Sequence, residues 1–393
     1  MVHEALRTLL DALEVVRPAF TRPGFANLVV VFAGWALTCG PHAVTQALVT
    51  TGVAGRRHLE AFHRFFSRGT WDPDEVGRLL FDWISRHVPK DAAIRVALDD
   101  TLATKKGPHV FGIGSHIDAV RSTRRQKIFA FGHCWVVLAV LLPVPFSARA
   151  FALPVLFRLY RTVKSCERAG QPHRKKTELA RDLLDVLATW VGARRVELTA
   201  DSAYCNDTIT RNLPANFVLF GAMRPDAVLT ALPPARRSKP GRPSRRGRPV
   251  AKPEAIAKDG RRPWLSCEAT LYGVRRTVRY KTVDAQWYRA CGVGLLRIVI
   301  VKVDVGAIGM RVFFSNDATL EVSAILETYA GRWAIEVCFR ELKQLLGFAD
   351  VLRAAQRALT PLDVLDPHRG LGNLRKPRPR RAWPLESRLR HAA

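Results

Sequence analysis

Ile94-Arg-Val-Ala-Leu-Asp-Asp100 is a short apolar run that ends in two acids. Its length and β-branched content read as a strand, and its acids fall where side chains emerge at a sheet edge. Arg195-Val-Glu-Leu-Thr-Ala-Asp201 is a second run of the same kind, again closing on an acid. Between them, residues 128–142 and 146–153 read as further strands. Residues 175–191 read as an amphipathic helix, with apolar side chains at 179, 183, 184, 187 and 191. Strands alternating with helix predict an α/β fold, a mixed sheet covered by helices.

Outward from this core, residues 1–92 read as an N-terminal helical domain. Leu9, Leu10, Leu13 and Val16 have helical spacing, and two further periodic segments flank Gly69-Thr-Trp-Asp-Pro73. His63, Arg64, Arg68 and Arg86 give this region a basic face, which suits either DNA contact or a helical cap on the main domain. The first part of the core then spans 93–205. Residues 206–320 read as a β-rich insertion, with strands near 217–219, 269–274, 297–303 and 310–314. Its segment 234–262 is expected to be a mobile basic loop, with eleven Lys and Arg from Arg236 onward against Glu254 and Asp259. Arg245, Arg246 and Arg248 are its candidate DNA contacts. Arg246-Gly-Arg-Pro249 has the form of a short arginine hook for a narrow A·T minor groove, and nonspecific phosphate contact is the simpler use of the same charges.

Residues 321–350 carry the other informative stretch, Tyr329-Ala-Gly-Arg-Trp-Ala-Ile-Glu336-Val-Cys-Phe-Arg-Glu-Leu-Lys343. On one continuous helix at about 100° per residue, Tyr329, Arg332, Glu336 and Lys343 share a stripe about 60° wide. Asp100, Asp201 and Glu336 form the candidate acid set. Three carboxylates brought together repel unless cations neutralise them. Hard Mg²⁺ prefers such oxygen ligands, and two ions roughly 4 Å apart can activate a hydroxyl and stabilise a leaving oxygen at phosphorus. Arg332 and Lys343 would meet the substrate's phosphate charge. Each acid also has a plainer use: a strand-end Asp as a turn residue, and Glu336 as the i,i+4 partner of Arg340.

The formal net charge of +28 over 393 residues points to a polyanionic partner, nucleic acid first. The alternative is an arginine-rich composition whose charges are merely solvated. Seven single cysteines without a C-x-x-C pair argue against a structural zinc site and suit a reducing compartment. The N-terminus lacks the order of a signal peptide. The apolar run 128–146 contains Gly132, His133 and Pro143, so buried strands are expected there rather than a membrane span.

Taken in order, these features resemble the DDE transposases of bacterial insertion sequences. The likeness is greatest to the insertion sequence 4 and 701 types, marked by Tyr-x2-Arg-x3-Glu-x6-Lys. Tyr329, Arg332, Glu336 and Lys343 match that spacing throughout. Leu98-Asp-Asp-Thr101, Lys105-Lys-Gly107, Gly132-His-Cys-Trp135, Ala200-Asp-Ser-Ala-Tyr204 and Phe313-Phe-Ser-Asn-Asp317 look like family segments in the expected order. The resemblance covers about residues 15–350. It implies an RNase H-like catalytic core interrupted by a β-strand insertion. It places the first carboxylate directly before Thr101, at Asp100 rather than Asp99, with Asp201 second and Glu336 third. Tyr329, Arg332 and Lys343 are then phosphate-binding. It further implies Mg²⁺, with Mn²⁺ as substitute, double-stranded DNA as partner at element ends and target, a homodimer, and a nucleoid-associated cytoplasmic location. Some relatives stack a displaced base on an insertion aromatic, a role open to Trp264 or Trp287, for which core packing is the plainer use.

Residues 351–393 depart from the family. Seven Lys or Arg and three prolines between 371 and 393 do not suit the apolar helices expected there. A frameshifted ending, or a divergent basic tail, accounts for this. The competing function is a truncated, noncatalytic DNA-binding derivative that represses transposition.

Overall fold

The computed structural model describes residues 2–105, 107, 110–118, 120–123, 125–234, 244–302 and 309–348. The basic tail expected at 351–393 and the first part of the basic loop lie outside them.

Five helices come first: α1 (Val2–Leu13), α2 (Arg22–Leu37), α3 (Val44–Thr50), α4 (Leu59–Arg68) and α5 (Pro73–Ser85). The Thr21 hydroxyl accepts the Gly24 N–H to start α2, and Asp72 with Pro73 starts α5. Val31, Val44, Leu48, Phe62, Phe65 and Phe66 give α2, α3 and α4 a core of their own. α5 belongs elsewhere. Its Phe81 and Ile84 join the core on the sheet, and Asp74 holds Arg158 in a two-bond fork at 2.6 and 2.7 Å. The boundary read at residue 92 therefore falls after a helix that already packs on the sheet.

The sheet begins with β1 (Ile94–Thr104), β2 (Gly114–Ile117), β3 (Phe129–Leu142) and β4 (Phe151–Tyr160), followed by α6 (Val163–Arg168) and α7 (Lys176–Val191). Next come β5 (Val196–Ala200), α8 (Asp207–Thr210) and β6 (Phe217–Met223). β1 pairs antiparallel with β3 and parallel with β5, β5 pairs parallel with β6, and β4 lies outside β3. This large mixed sheet agrees with an RNase H-like core. Residues 146–150 are not strand, and Phe146 is exposed. The fourth strand runs later than read, because Pro154 is accommodated at the register shift opposite Ala139.

The remaining elements are β7 (Leu229–Thr230), β8 (Pro249–Val250), α9 (Pro253–Lys258), β9 (Leu265–Leu271), β10 (Val274–Ala285), α10 (Tyr288–Cys291), β11 (Leu296–Lys302), β12 (Met310–Ser315), α11 (Val322–Gly331) and α12 (Trp333–Gln344). β12 pairs with β6, and β11, β10 and β9 continue outward from it, so the strands read as an insertion extend the core sheet. The run read as one strand at 269–274 is a hairpin, turned at Tyr272 and Gly273, both with positive φ.

Residues 244–262, expected to be mobile, are built into the fold. The Gly247 N–H donates to Ala231 O and the Ala231 N–H to Arg248 O, extending the β7–β8 ribbon. A Cβ at Gly247 would lie 2.2 Å from the Leu232 carbonyl oxygen, so only glycine allows that approach. Lys281, 4 % exposed on β10, donates to the carbonyls of Ile256, Ala257 and Asp259 at the end of α9, with Trp264 beneath it. A buried cation on a helix C-terminus satisfies its orphan carbonyls.

One face of the sheet packs Ile94, Val96 and Leu98 against Leu183, Leu184 and Leu187 of α7. The other packs Ala97, Trp135 and Val137 under Ile335 and Phe339 of α12, and Val299 under Ile325 of α11. Among the described residues no helix is long and apolar enough to cross a membrane.

Candidate active site

Strand alternation decides which acids meet. On β1, Ile94, Val96 and Leu98 face α7; on β5, Val196, Leu198 and Ala200 do the same. The parallel register sets Leu98 beside Ala200, so Asp99 and Asp201, the next residue of each, project to the face that α12 covers. There Arg332 donates to Asp99 Oδ2 at 2.8 Å and to Glu336 Oε1 at 2.5 Å. The Arg332 and Asp99 side chains are 14 % and 16 % exposed. One Asp201 oxygen accepts the N–H groups of Ala203 and Tyr204 at 2.9 and 3.3 Å.

Asp100, the first carboxylate expected from the motif, is on the other face. Its carboxylate takes Lys176 Nζ at 2.6 Å, the Tyr204 hydroxyl at 2.8 Å and the Cys134 thiol at 3.2 Å. Asp99, not Asp100, is therefore the acid of this pair that faces Arg332 and Glu336. Consecutive strand residues point to opposite sides, so the two acids cannot exchange roles without a shift of register.

The single helix read across 329–343 is corrected. α11 ends at Gly331 and α12 begins at Trp333, with Arg332 at the junction. The half-buried Tyr329 ring lies 4.7 Å from Phe313, and the Arg332 guanidinium is 5.7 Å from its centroid. Lys343, in the last turn of α12, is exposed. Glu336 pairs with Arg332 rather than Arg340.

The electrostatics follow from burial. Loss of solvent raises the Asp99 pKa from 3.8 to about 7; Arg332 opposes this, and the charges of Asp201 and Asp100 add to it. Asp201 is raised as well, chiefly by burial, with Asp100 contributing. Burial alone would lower the Arg332 pKa, but Tyr329, Asp99 and Glu336 overcome it and hold the guanidinium charged. Burial pushes Tyr329 up to about 12. The Arg332 Nε is buried with no hydrogen-bond partner among the described residues.

Among the described residues, no three His, Cys, Asp or Glu side chains are close enough to hold a metal ion as they stand. The donor chemistry nonetheless fits a hard cation. Asp99, Asp201 and Glu336 offer only carboxylate oxygens, and burial disfavours the charged form of the two aspartates unless positive charge compensates it. Arg332 now supplies that charge to Asp99 and Glu336.

Arg245, Arg246 and Arg248 are exposed on the ribbon beside β8, with Arg246 4.9 Å from the Tyr288 ring centroid. Trp264 and Trp287 are engaged in packing, one under Lys281 and the other against Phe314. Lys176 and Tyr204 were missed as partners of Asp100, and Asp99 was read only as its neighbour. For Asp99 the signal was present, since each strand places its acid one step after the last inward apolar residue. Nothing local in sequence announced Lys176, whose contact with Asp100 bridges 76 residues.

The family profile described as DDE superfamily endonuclease matches residues 18–291. The match spans Asp99, Asp100 and Asp201 and stops short of Glu336. No curated protein matches the chain.

Proposed function

The chain belongs to the DDE superfamily endonucleases, and we propose that it is a transposase of the insertion sequence 4 or 701 type. It cuts DNA at the ends of its element and joins the freed 3′-hydroxyl to target DNA. The observation that carries this reading is the placement of Asp99 beside Asp201, under the helix that brings Glu336 and Arg332.

Water attacks phosphorus at the element end and the bond to the 3′-oxygen breaks, leaving a 3′-hydroxyl and a 5′-phosphate. In the second step that hydroxyl attacks a target phosphate and displaces its 3′-oxygen. Asp99, Asp201 and Glu336 would hold Mg²⁺ or Mn²⁺, which activates the attacking oxygen and stabilises the leaving one. Asp99 must be ionised to serve as a ligand, which its raised pKa resists until cationic charge arrives. Arg332 neutralises Asp99 and Glu336, and with Lys343 and the Tyr329 hydroxyl it would bind phosphate oxygens. A homodimer at paired ends is part of this proposal.

The test is nicking of labelled element-end DNA with Mg²⁺ or Mn²⁺. D99N, D201N and E336Q are expected to abolish nicking and keep DNA binding. D100N should retain metal affinity, measured calorimetrically, while D99N loses it. Nicking that survives D99N but not D100N would return the first carboxylate to Asp100. Binding by the unaltered protein without metal-dependent nicking would favour the repressor reading.

A further inference from the structure

The hairpin that joins β2 to β3 carries an aromatic and basic surface that the acid site does not use. Phe129 and Phe131 are each 63 % exposed, and Ile117, the cross-strand partner of Phe129, is 52 % exposed. By alternation Phe129 and Phe131 lie on the same face of β3 as Trp135 and Val137, which α12 covers. Asp99 pairs with Val137 and projects to this same face. From Val137 to Phe131 is six residues of strand, about 20 Å. The exposed aromatics therefore continue the face that holds the acids.

The described residues of the turn are basic and joined by hydrogen bonds. Arg121, Arg125 and Lys127 are exposed, and none forms an ion pair with a described residue. Asp118, the acid of this turn, spends one carboxylate oxygen on the N–H groups of Val120 and Arg121. The Asp118 N–H donates to Ile128 O, and the Ile128 N–H to the Ser122 hydroxyl oxygen. A hairpin this well hydrogen-bonded loses little conformational freedom on binding. Two exposed phenyl rings beside three cations that form no ion pair with a described residue match the chemistry of a single strand, whose bases present flat apolar faces and whose backbone is anionic. Burial against a second copy would bring the same cations against each other.

Resting on the DNA-cutting role proposed above, we infer that this hairpin binds unpaired DNA bases leading to the acid site. Phe129 and Phe131 stack on bases, and Arg121, Arg125 and Lys127 hold the phosphates between them. At ~3.4 Å per nucleotide, the distance from the acids to Phe131 corresponds to about six stacked nucleotides.

The experiment compares binding of the full-length protein to a blunt duplex and to the same duplex with a single-stranded tail of about six nucleotides. A fluorescent adenine analogue in the tail reports stacking. The unaltered protein is expected to prefer the tailed DNA and to quench the analogue. F129A/F131A should weaken tailed binding by about 10- to 100-fold, lose the quench, and leave blunt-duplex binding unchanged. F129W/F131W should restore both, which also shows that the aromatic positions tolerate exchange. Equal affinity for the two DNAs, or a preference that survives F129A/F131A, overturns the inference. So does a change in oligomeric state without a change in DNA preference, which would assign the face to a second copy. Failure to bind either DNA would instead remove the proposed function beneath it.

Discussion

Asp99 and Asp100 are chemically identical neighbours with opposite fates, because a strand sends adjacent side chains to opposite faces. The sequence held the information needed to tell them apart: Ile94, Val96 and Leu98 match Val196, Leu198 and Ala200 step for step. Reading by motif selects the acid next to Thr101, whereas alternation selects its neighbour, the one that faces Arg332. The Asp99 pKa gives a test with a definite sign. Its value rises from 3.8 to about 7 on folding, so the folded state holds the proton more tightly. Asp99 then favours folding fully below about pH 4, and that contribution is lost as pH rises to about 7. Without metal, the melting temperature of D99N should therefore gain on that of the unaltered protein across this window, by several degrees at its upper end. A gap independent of pH would refute the assignment. Arg332 supplies a second test. R332Q leaves Asp99 and Glu336 without their cation and should destabilise the fold by about 2–4 kcal/mol. Added Mg²⁺ should raise the unfolding midpoint of R332Q more than that of the unaltered protein, since the freed carboxylates can take the ion.

At the scale of elements, legibility followed how local the determining contacts are. Helix α7 was readable because its apolar spacing is a property of its own residues. The 244–262 segment was not, because what orders it arrives from elsewhere: the pairing with β7 and the ammonium of Lys281. Composition alone described that stretch as a loop. K281M keeps much of the side-chain volume and removes the three bonds to the end of α9. It should cost about 1–3 kcal/mol, and limited proteolysis should then cut within 244–262 faster than in the unaltered protein. Unchanged cleavage there would mean that the β7–β8 pairing suffices. The polar stripe from Tyr329 to Lys343 was readable as a cluster but not as one helix. The junction at Arg332 follows Gly331, and it lets the guanidinium reach Asp99 and Glu336 together.

For the whole molecule, the charge of +28 was the plainest message of the sequence, and the continuous sheet the least. No local pattern shows that β12 pairs with β6, since that contact joins residues about ninety apart. DNA affinity should fall steeply with salt, because each neutralised phosphate releases bound counterion. Replacing Arg121, Arg125 and Lys127 together by Ala should reduce the slope of log affinity against log salt by about 2 to 3 if all three meet phosphates. An unchanged slope would place the phosphate contacts elsewhere. The bond from Arg332 to Asp99 spans 233 residues, and that separation has a consequence for synthesis. At the usual pace of translation, roughly 10 to 50 s pass between the two residues leaving the ribosome. Throughout that interval the nascent chain carries Asp99 with neither its guanidinium nor Glu336. The acid set closes only after residue 336 has been made, so on the function proposed above a shorter nascent chain would be unable to cut the DNA around it.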